Sequence, residues 1–480
     1  MDGTVAKVVL LIMSLLGIQT LSAQKTAPTS NRAWHSKSEL DASKELAVEP
    51  QPSWDISPNK FYTLPELIDL AERHNPETRA SWERAKIRAA ELGIARSAYF
   101  PTLTAVVYSA SLRQPALIDG YFHRQTIGLY QPTLNVEYLI FDFGGRAGAV
   151  DVAKANLIVA NLAFNDTHRR LIYDISAAYF RLLNARGQRE ATEVSLKNAE
   201  TVEADADDRL SHGLATRPDV LEASAARAQA DFDLQAAVGA EAIALGHLVT
   251  LMGLPSKTEL KVESLSQLSN PNAMSDSLNE EIERAFQQRP ELLEAVARIR
   301  AAQGMLKQAR SAYFPTIRFS GNGGLARGYG QEDLLPGHYA EGEVWTAGME
   351  LRWTLFDGAR REKEVIAANA QRRAAESDLY ALRDRIDEEV FTSYTNMQTA
   401  LRQQQAATAL LTASVQSYEA AREANGYGLR SELDVIAAQK ALAQARSEDV
   451  AARSQLLLQA ADLAFRTGDM IQVQAQLAKP

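Results

Sequence analysis

Two short segments carry the residue types that could do chemistry. Gly213-Leu214-Ala215-Thr216-Arg217-Pro218-Asp219-Val220 and Gly428-Leu429-Arg430-Ser431-Glu432-Leu433-Asp434-Val435 each set out a glycine, a hydroxyl residue and an aspartate in the same order. Glycine suits the left-handed cap that ends a helix, and a hydroxyl shortly before a carboxylate suits the start of the next. The chemistry on offer is capping and charge pairing at an exposed turn, not bond making. Other constellations offer less. His35, His74, His123, His168, His212, His247 and His338 are scattered, without metal-ligand spacing. The absence of cysteine excludes disulfides, a thiol nucleophile, thiolate metal sites and an N-terminal lipidated cysteine. Gly321-Asn322-Gly323-Gly324 precedes no helix and is no phosphate loop. No serine, histidine and carboxylate grouping stands out, so neither catalysis, a cofactor nor a metal is expected.

The two segments belong to a duplication. Ala95-Arg96-Ser97-Ala98-Tyr99-Phe100-Pro101-Thr102 returns 214 residues later, from Ala309 to Thr316. Asn75-Pro76-Glu77 matches Arg289-Pro290-Glu291, and Phe141-Asp142 matches Phe356-Asp357. Two units in one order, 61–255 and 278–469, are separated by a connector, 256–277. Residues 1–23 read as a secretory signal: Lys7, then an apolar run ending at Ser22-Ala23. Residues 24–60 read as a flexible leader and 470–480 as a tail. No later segment gives a long uncharged apolar run, so the sequence predicts no membrane-crossing hydrophobic helix. A net charge of −9 argues against nucleic acid as a partner.

Each unit predicts the elements that hold the turns in place. A helical stretch, Leu64–Ser97 or Leu278–Ser311, is split by Pro76 or Pro290 and closed by Pro101 or Pro315. Two strands follow. In the clearest, Trp345 to Leu355, Trp345, Ala347, Met349, Leu351, Trp353 and Leu355 share one face, and polar residues hold the other. About ten such residues suit a tilted strand crossing a bilayer. Next comes a very long helix, about Gly144 to Ser211 and Ala359 to Ala424, which needs partners along its length. The last helix repeats Val435, Leu442, Leu456 and Leu463 every seven, with Asp449 in the middle slot.

These motifs together resemble the TolC-type outer membrane efflux proteins. The resemblance rests on the Tyr-Phe-Pro-Thr strand starts, on the two tips, and on the corners Phe141-Asp142-Phe143-Gly144-Gly145-Arg146 and Phe356-Asp357-Gly358-Ala359-Arg360. It implies an α+β membrane protein with internal duplication. Four strands per chain close a trimeric twelve-stranded β-barrel, continued by an α-helical coiled-coil tunnel in the periplasm. Pro101, Gly144, Gly145, Pro315 and Gly358 mark the strand–helix corners. Gly213, Leu214, Ala215, Thr216, Gly428, Leu429 and Ser431 mark tips that meet an adaptor. Asp219 and Arg430 correspond to linking residues of a periplasmic gate, and Asp434 to a pore-lining aspartate. Asn425, Pro218 and Ala437 depart from the family pattern, which implies a looser lock.

The implied function is a non-enzymatic exit duct for a tripartite efflux pump or type I secretion system. It would lie in the outer membrane of a Gram-negative bacterium, with a large periplasmic part. Its partners would be two further copies of itself, a periplasmic adaptor, an inner-membrane transporter and outer-membrane lipid. A secreted structural coiled-coil protein is the alternative, and would need no amphipathic strands.

Overall fold

The computed structural model describes residues 56–470 apart from 58, 119, 266–267, 269–276 and 333–336. The expected signal, most of the leader, part of the connector and residues 471–480 of the tail lie outside the described residues. From residue 61 the order is β1 (Phe61–Tyr62), α1 (Leu64–His74), α2 (Pro76–Ser97), β2 (Thr102–Ile118), β3 (Tyr121–Phe141), α3 (Gly145–Ser211) and α4 (Arg217–Leu251). It continues with β4 (Lys261–Val262), α5 (Leu278–Gln288), α6 (Pro290–Ser311), β5 (Thr316–Glu332), β6 (His338–Arg352), α7 (Arg360–Gly426) and α8 (Glu432–Thr467). Pro76 and Pro290 open α2 and α6, where a missing N–H costs nothing.

The four long strands form one antiparallel sheet in the order β2-β3-β5-β6. Its register decides the character of its faces. Leu103, Val136, Gly321 and Ala347 form one row, and Leu134, Gly323 and Trp345 lie in the next. Phe319 pairs with Met349 and Ile317 with Leu351 on that same face. The opposite face carries Thr104, Asn135, Asn322 and Thr346 in one row, with Glu137, Ser320 and Glu350 near it. Among the described residues nothing covers the apolar face, and Trp345 is 77% exposed. Near the helices β3 has an irregularity between Leu139 and Phe141. The strand expected over Trp345–Leu355 instead spans His338–Arg352. Its partner begins at Thr316, opposite Arg352, so Trp353 leaves the sheet and its indole donates to the Tyr313 carbonyl at 3.1 Å.

The long helices α3 and α7 have 67 residues each, rods of about 100 Å. They run past two sets of shorter helices. Near the sheet the packing order is α2, α3, α6, α7; further away it is α4, α3, α8, α7. Val435, Leu442 and Leu456 of the heptad are buried, and Leu463 packs beside Met397 and Leu456. Asp449, the polar member, accepts from Thr408 of α7 at 2.9 Å. Gly187 does not break α3; a Cβ there would lie 2.6 Å from Val450 of α8, so the glycine admits a close helix pair.

By length and composition α3 and α4 each contain an apolar stretch long enough to cross a membrane, contrary to the sequence expectation. Little of that α3 stretch is buried within the chain, although α3 as a whole contacts α2, α4, α6 and α8. Backbones touch where α3 crosses α6. A Cβ on Gly148 would lie 2.8 Å from the Gln308 nitrogen and 2.8 Å from the Gly304 oxygen. Gly148→Ala is therefore expected to destabilise the fold by about 1–3 kcal/mol, as overpacking does. Unchanged midpoints in denaturant titration would refute that close crossing.

Candidate functional site

The tips form as the sequence suggests, and twice by the same bonds. Gly213 and Gly428 have φ of +74° and +71°. The Leu214 N–H donates to the Arg209 carbonyl at 2.8 Å, and the Leu429 N–H to the Ala424 carbonyl at 2.9 Å, closing a six-to-one turn. Asp219 Oδ2 accepts from the Thr216 N–H at 2.7 Å and its hydroxyl at 2.6 Å. Asp434 Oδ2 accepts from the Ser431 N–H at 3.1 Å and its hydroxyl at 2.9 Å. Bonds from these hydroxyls hold both carboxyls below the usual aspartate range. Leu214 and Leu429 project from the turns, exposed.

The structure does not bring Asp219 and Arg430 together within the chain. Each aspartate closes its own helix start, and Arg430 Nη1, in the turn before α8, lies 3.9 Å from Asp434 Oδ1. A different pair joins the tips. Arg209 of α3 donates through Nη1 to the Asn425 carbonyl at 2.9 Å and its Oδ1 at 2.7 Å. Asn425 Nδ2 then donates to the Arg430 carbonyl at 3.1 Å. Asn425 thus ties α3 to the turn after α7, and is only 8% exposed. Glu432 beside it is equally buried. Burial pushes its carboxyl up, and Arg209 and Asn425 pull against that. Sequence reasoning passed over Arg209 because it precedes the tip motif by four residues.

The corners use glycine less than expected. Gly144 and Gly358 take φ of +95° and +68°, but so do non-glycines: Phe143 at +51° and Ala359 at +68°. Gly145 is not left-handed. A Cβ there would lie 2.8 Å from Ser311 Oγ and 3.0 Å from Asp142 Oδ2, so close approach selects it. The corner motif also extends one residue beyond Arg360. Arg146 and Arg361 are the equivalents: each backbone N–H donates to the aspartate four residues earlier, Asp142 or Asp357, at 2.6 and 3.3 Å. Arg146 also donates to the Ala98 and Ile140 carbonyls, and Arg361 to those of Thr354 and Leu355. Each guanidinium lies over a tyrosine, Tyr99 or Tyr313. Pro101 and Pro315 stand immediately before β2 and β5.

A buried ion network joins the two repeats and was not visible in the sequence. Arg169 of α3 is fully buried. It pairs with Asp166 at 2.8 Å and with Glu291 of α6, and donates to the Phe465 carbonyl at 3.0 Å. Arg289 bonds Glu291 at 3.0 Å and Glu389 of α7 at 2.7 Å, and Arg466 of α8 lies 3.2 Å from Glu389. Burial pushes the Glu291 carboxyl up, but the bond from Arg289 and the charges of Arg169 and Arg289 outweigh it, and the net shift is downward. Among the described residues no cluster of three or more His, Asp or Glu side chains is placed to hold a metal.

The profile of the outer membrane efflux protein family matches residues 67–254 and 282–469, most of the chain and both repeats. The chain belongs to that family. The efflux protein is 27% identical over 376 residues to Protein CyaE of Bordetella pertussis, spanning 74% of each chain. It is 24% identical to outer membrane protein OprJ of Pseudomonas aeruginosa over 78% of each. Its fold is that of solved outer membrane channels. CmeC of Campylobacter jejuni superposes with a TM-score of 0.72 over 93% of this chain and 94% of that one, at 17% identity. A membrane protein from Pseudomonas aeruginosa gives 0.74 over 88% and 98%, at 24% identity. The protein is an outer-membrane efflux duct, and the expected localisation holds.

Proposed function

We propose that three copies close a twelve-stranded barrel and a helical tunnel beneath it, forming a passive duct with no catalytic chemistry of its own. One observation carries this reading: a four-stranded sheet with an apolar outer face and two open edges, β2 and β6. Lipid cannot satisfy open edges, and further copies can. A secreted coiled-coil rod would have no use for that face. The tips then lie at the far end of rods of about 100 Å, where Leu214 and Leu429 are free to meet a periplasmic adaptor that couples the duct to an inner-membrane transporter. Asp434 would line the closed end and favour cations. Arg430, exposed in the turn before α8, could reach Asp219 of a neighbouring copy.

Light scattering of the detergent-solubilised protein, corrected for bound detergent, should give the mass of three chains. A stable folded monomer would sink the barrel.

A further inference from the structure

The polar face of the sheet turns apolar part-way along the strands. Near the helices the face bearing Leu103, Leu134, Met349 and Trp345 is apolar, and the face bearing Thr104, Asn135 and Asn322 is polar. Further out the polar face turns apolar, while the other face gains charges among its tyrosines Tyr130, Tyr329 and Tyr339. The face that was polar carries Ala110, Leu129, Gly328 and Ala340 in one row, and Leu112, Ile127 and Gly330 in the next. The face that was apolar carries Ser111, Arg113 and the Arg327–Glu341 ion pair at 2.7 Å. Gln114 opposite Gln125 closes the reversed patch with a polar rim.

Length places this reversal. Strands β2 and β3 have 17 and 21 residues, whereas about 9–11 cross a bilayer when tilted. The reversed part therefore stands beyond the hydrocarbon, at the end away from the helices. Its outer face mixes the charges of Arg113, Arg327 and Glu341 with the tyrosines Tyr130, Tyr329 and Tyr339, residues that suit a water boundary. Its inner face offers no such groups beside Leu112 and Ile127, which are 52% and 39% exposed. Water disfavours such a surface, and no described element of the chain lies over it. In a threefold barrel the same face of every copy turns toward one axis. Gly330 on β5 keeps the neighbouring wall thin, so Leu112 and Ile127 stand up as the apolar side chains of a row that ends at His338 of β6.

We infer that the distal strands lean together over the duct axis and cover one another's apolar faces, forming an outer cap that cargo must part. This rests on the barrel reading, and the cap is incomplete in any single copy. It would pass amphiphilic cargo by lending it an apolar contact, and would hold back polar solutes arriving from outside.

The chain has no cysteine, so any introduced thiol is unique. Asn322→Cys places one on the polar inner face beneath the cap. In right-side-out outer-membrane vesicles, a membrane-impermeant maleimide should label it slowly. Adding Leu112→Asn and Ile127→Asn should raise the rate at least tenfold; equal rates would overturn the cap. If the asparagine pair fails to assemble, Ile127→Cys alone decides. Mild oxidation should link copies into covalent dimers, while Arg113→Cys on the opposite face should not link, and absence of linking at Ile127 would overturn the cap. Met349→Cys, on the lipid face, should stay unlabelled. Labelling there as fast as at Asn322→Cys would instead remove the barrel on which the cap rests.

Discussion

Replacing Arg169 with methionine should cost about 3–5 kcal/mol of stability, more than any other single change considered. The side chain is fully buried, and it compensates Asp166 and Glu291 while also holding the Phe465 carbonyl. Methionine keeps much of the volume, so the loss would come from carboxylates left short of a cation rather than from a cavity. The damage would spread, because Asp166 lies in the first repeat and Glu291 in the second. The two halves should then lose their joint unfolding. Denaturant titration of the detergent-solubilised protein, followed by circular dichroism, would show a lower midpoint and a broader or split transition. A midpoint within 0.5 kcal/mol of wild type would mean that the network is energetically idle. The same network sets a pH limit. The folded-state value of Glu291 is depressed below its ordinary 4.5. Its contribution is therefore complete above that value and is lost as pH falls through the lower, folded-state one. Acid should weaken wild type more than a Glu291→Gln variant, which has already lost that proton-linked term.

How much of this was legible in the sequence depended on locality. Capping is written in four adjacent residues, so Thr216 with Asp219 and Ser431 with Asp434 could be read directly. Strand faces follow from alternation, and the duplication doubled every signal. Strand ends were less legible, because pairing sets them: β6 stops at Arg352 since β5 starts at Thr316. The corner was misread by one residue for the same kind of reason. Arg360 and Arg361 are adjacent arginines, and only the bond to Asp357 tells them apart. Long-range polar links were not legible at all. Arg169 to Glu291 spans 122 residues, and Arg209 to Asn425 spans 216. Asn425 stood out by the resemblance, but nothing in either local pattern singles out Arg169 or Arg209 among 51 Lys and Arg.

That last pair supports the sharpest test of the gate. If the proposed tunnel is closed by its helical tips, opening it requires neighbouring hairpins to part, and within this chain Arg209 and Asn425 hold α3 to the turn after α7. A hydrogen bond to a charged group contributes about 1.5–3 kcal/mol. Three copies would together supply about 5 kcal/mol or more, close to the ~5.5 kcal/mol that moves a two-state equilibrium from one extreme to the other. The Arg430–Asp434 contact at 3.9 Å is exposed and screened by water, and Asp219 serves its own helix cap. Arg209→Ser with Asn425→Ala should therefore raise single-channel conductance in a planar bilayer several-fold. Asp219→Ala with Arg430→Ser should raise it less, and at some cost to the cap of α4. If only the second pair opens the channel, the lock lies between neighbouring chains, and the Arg209–Asn425 link merely splints one subunit. If neither pair changes conductance, the tips do not limit the current.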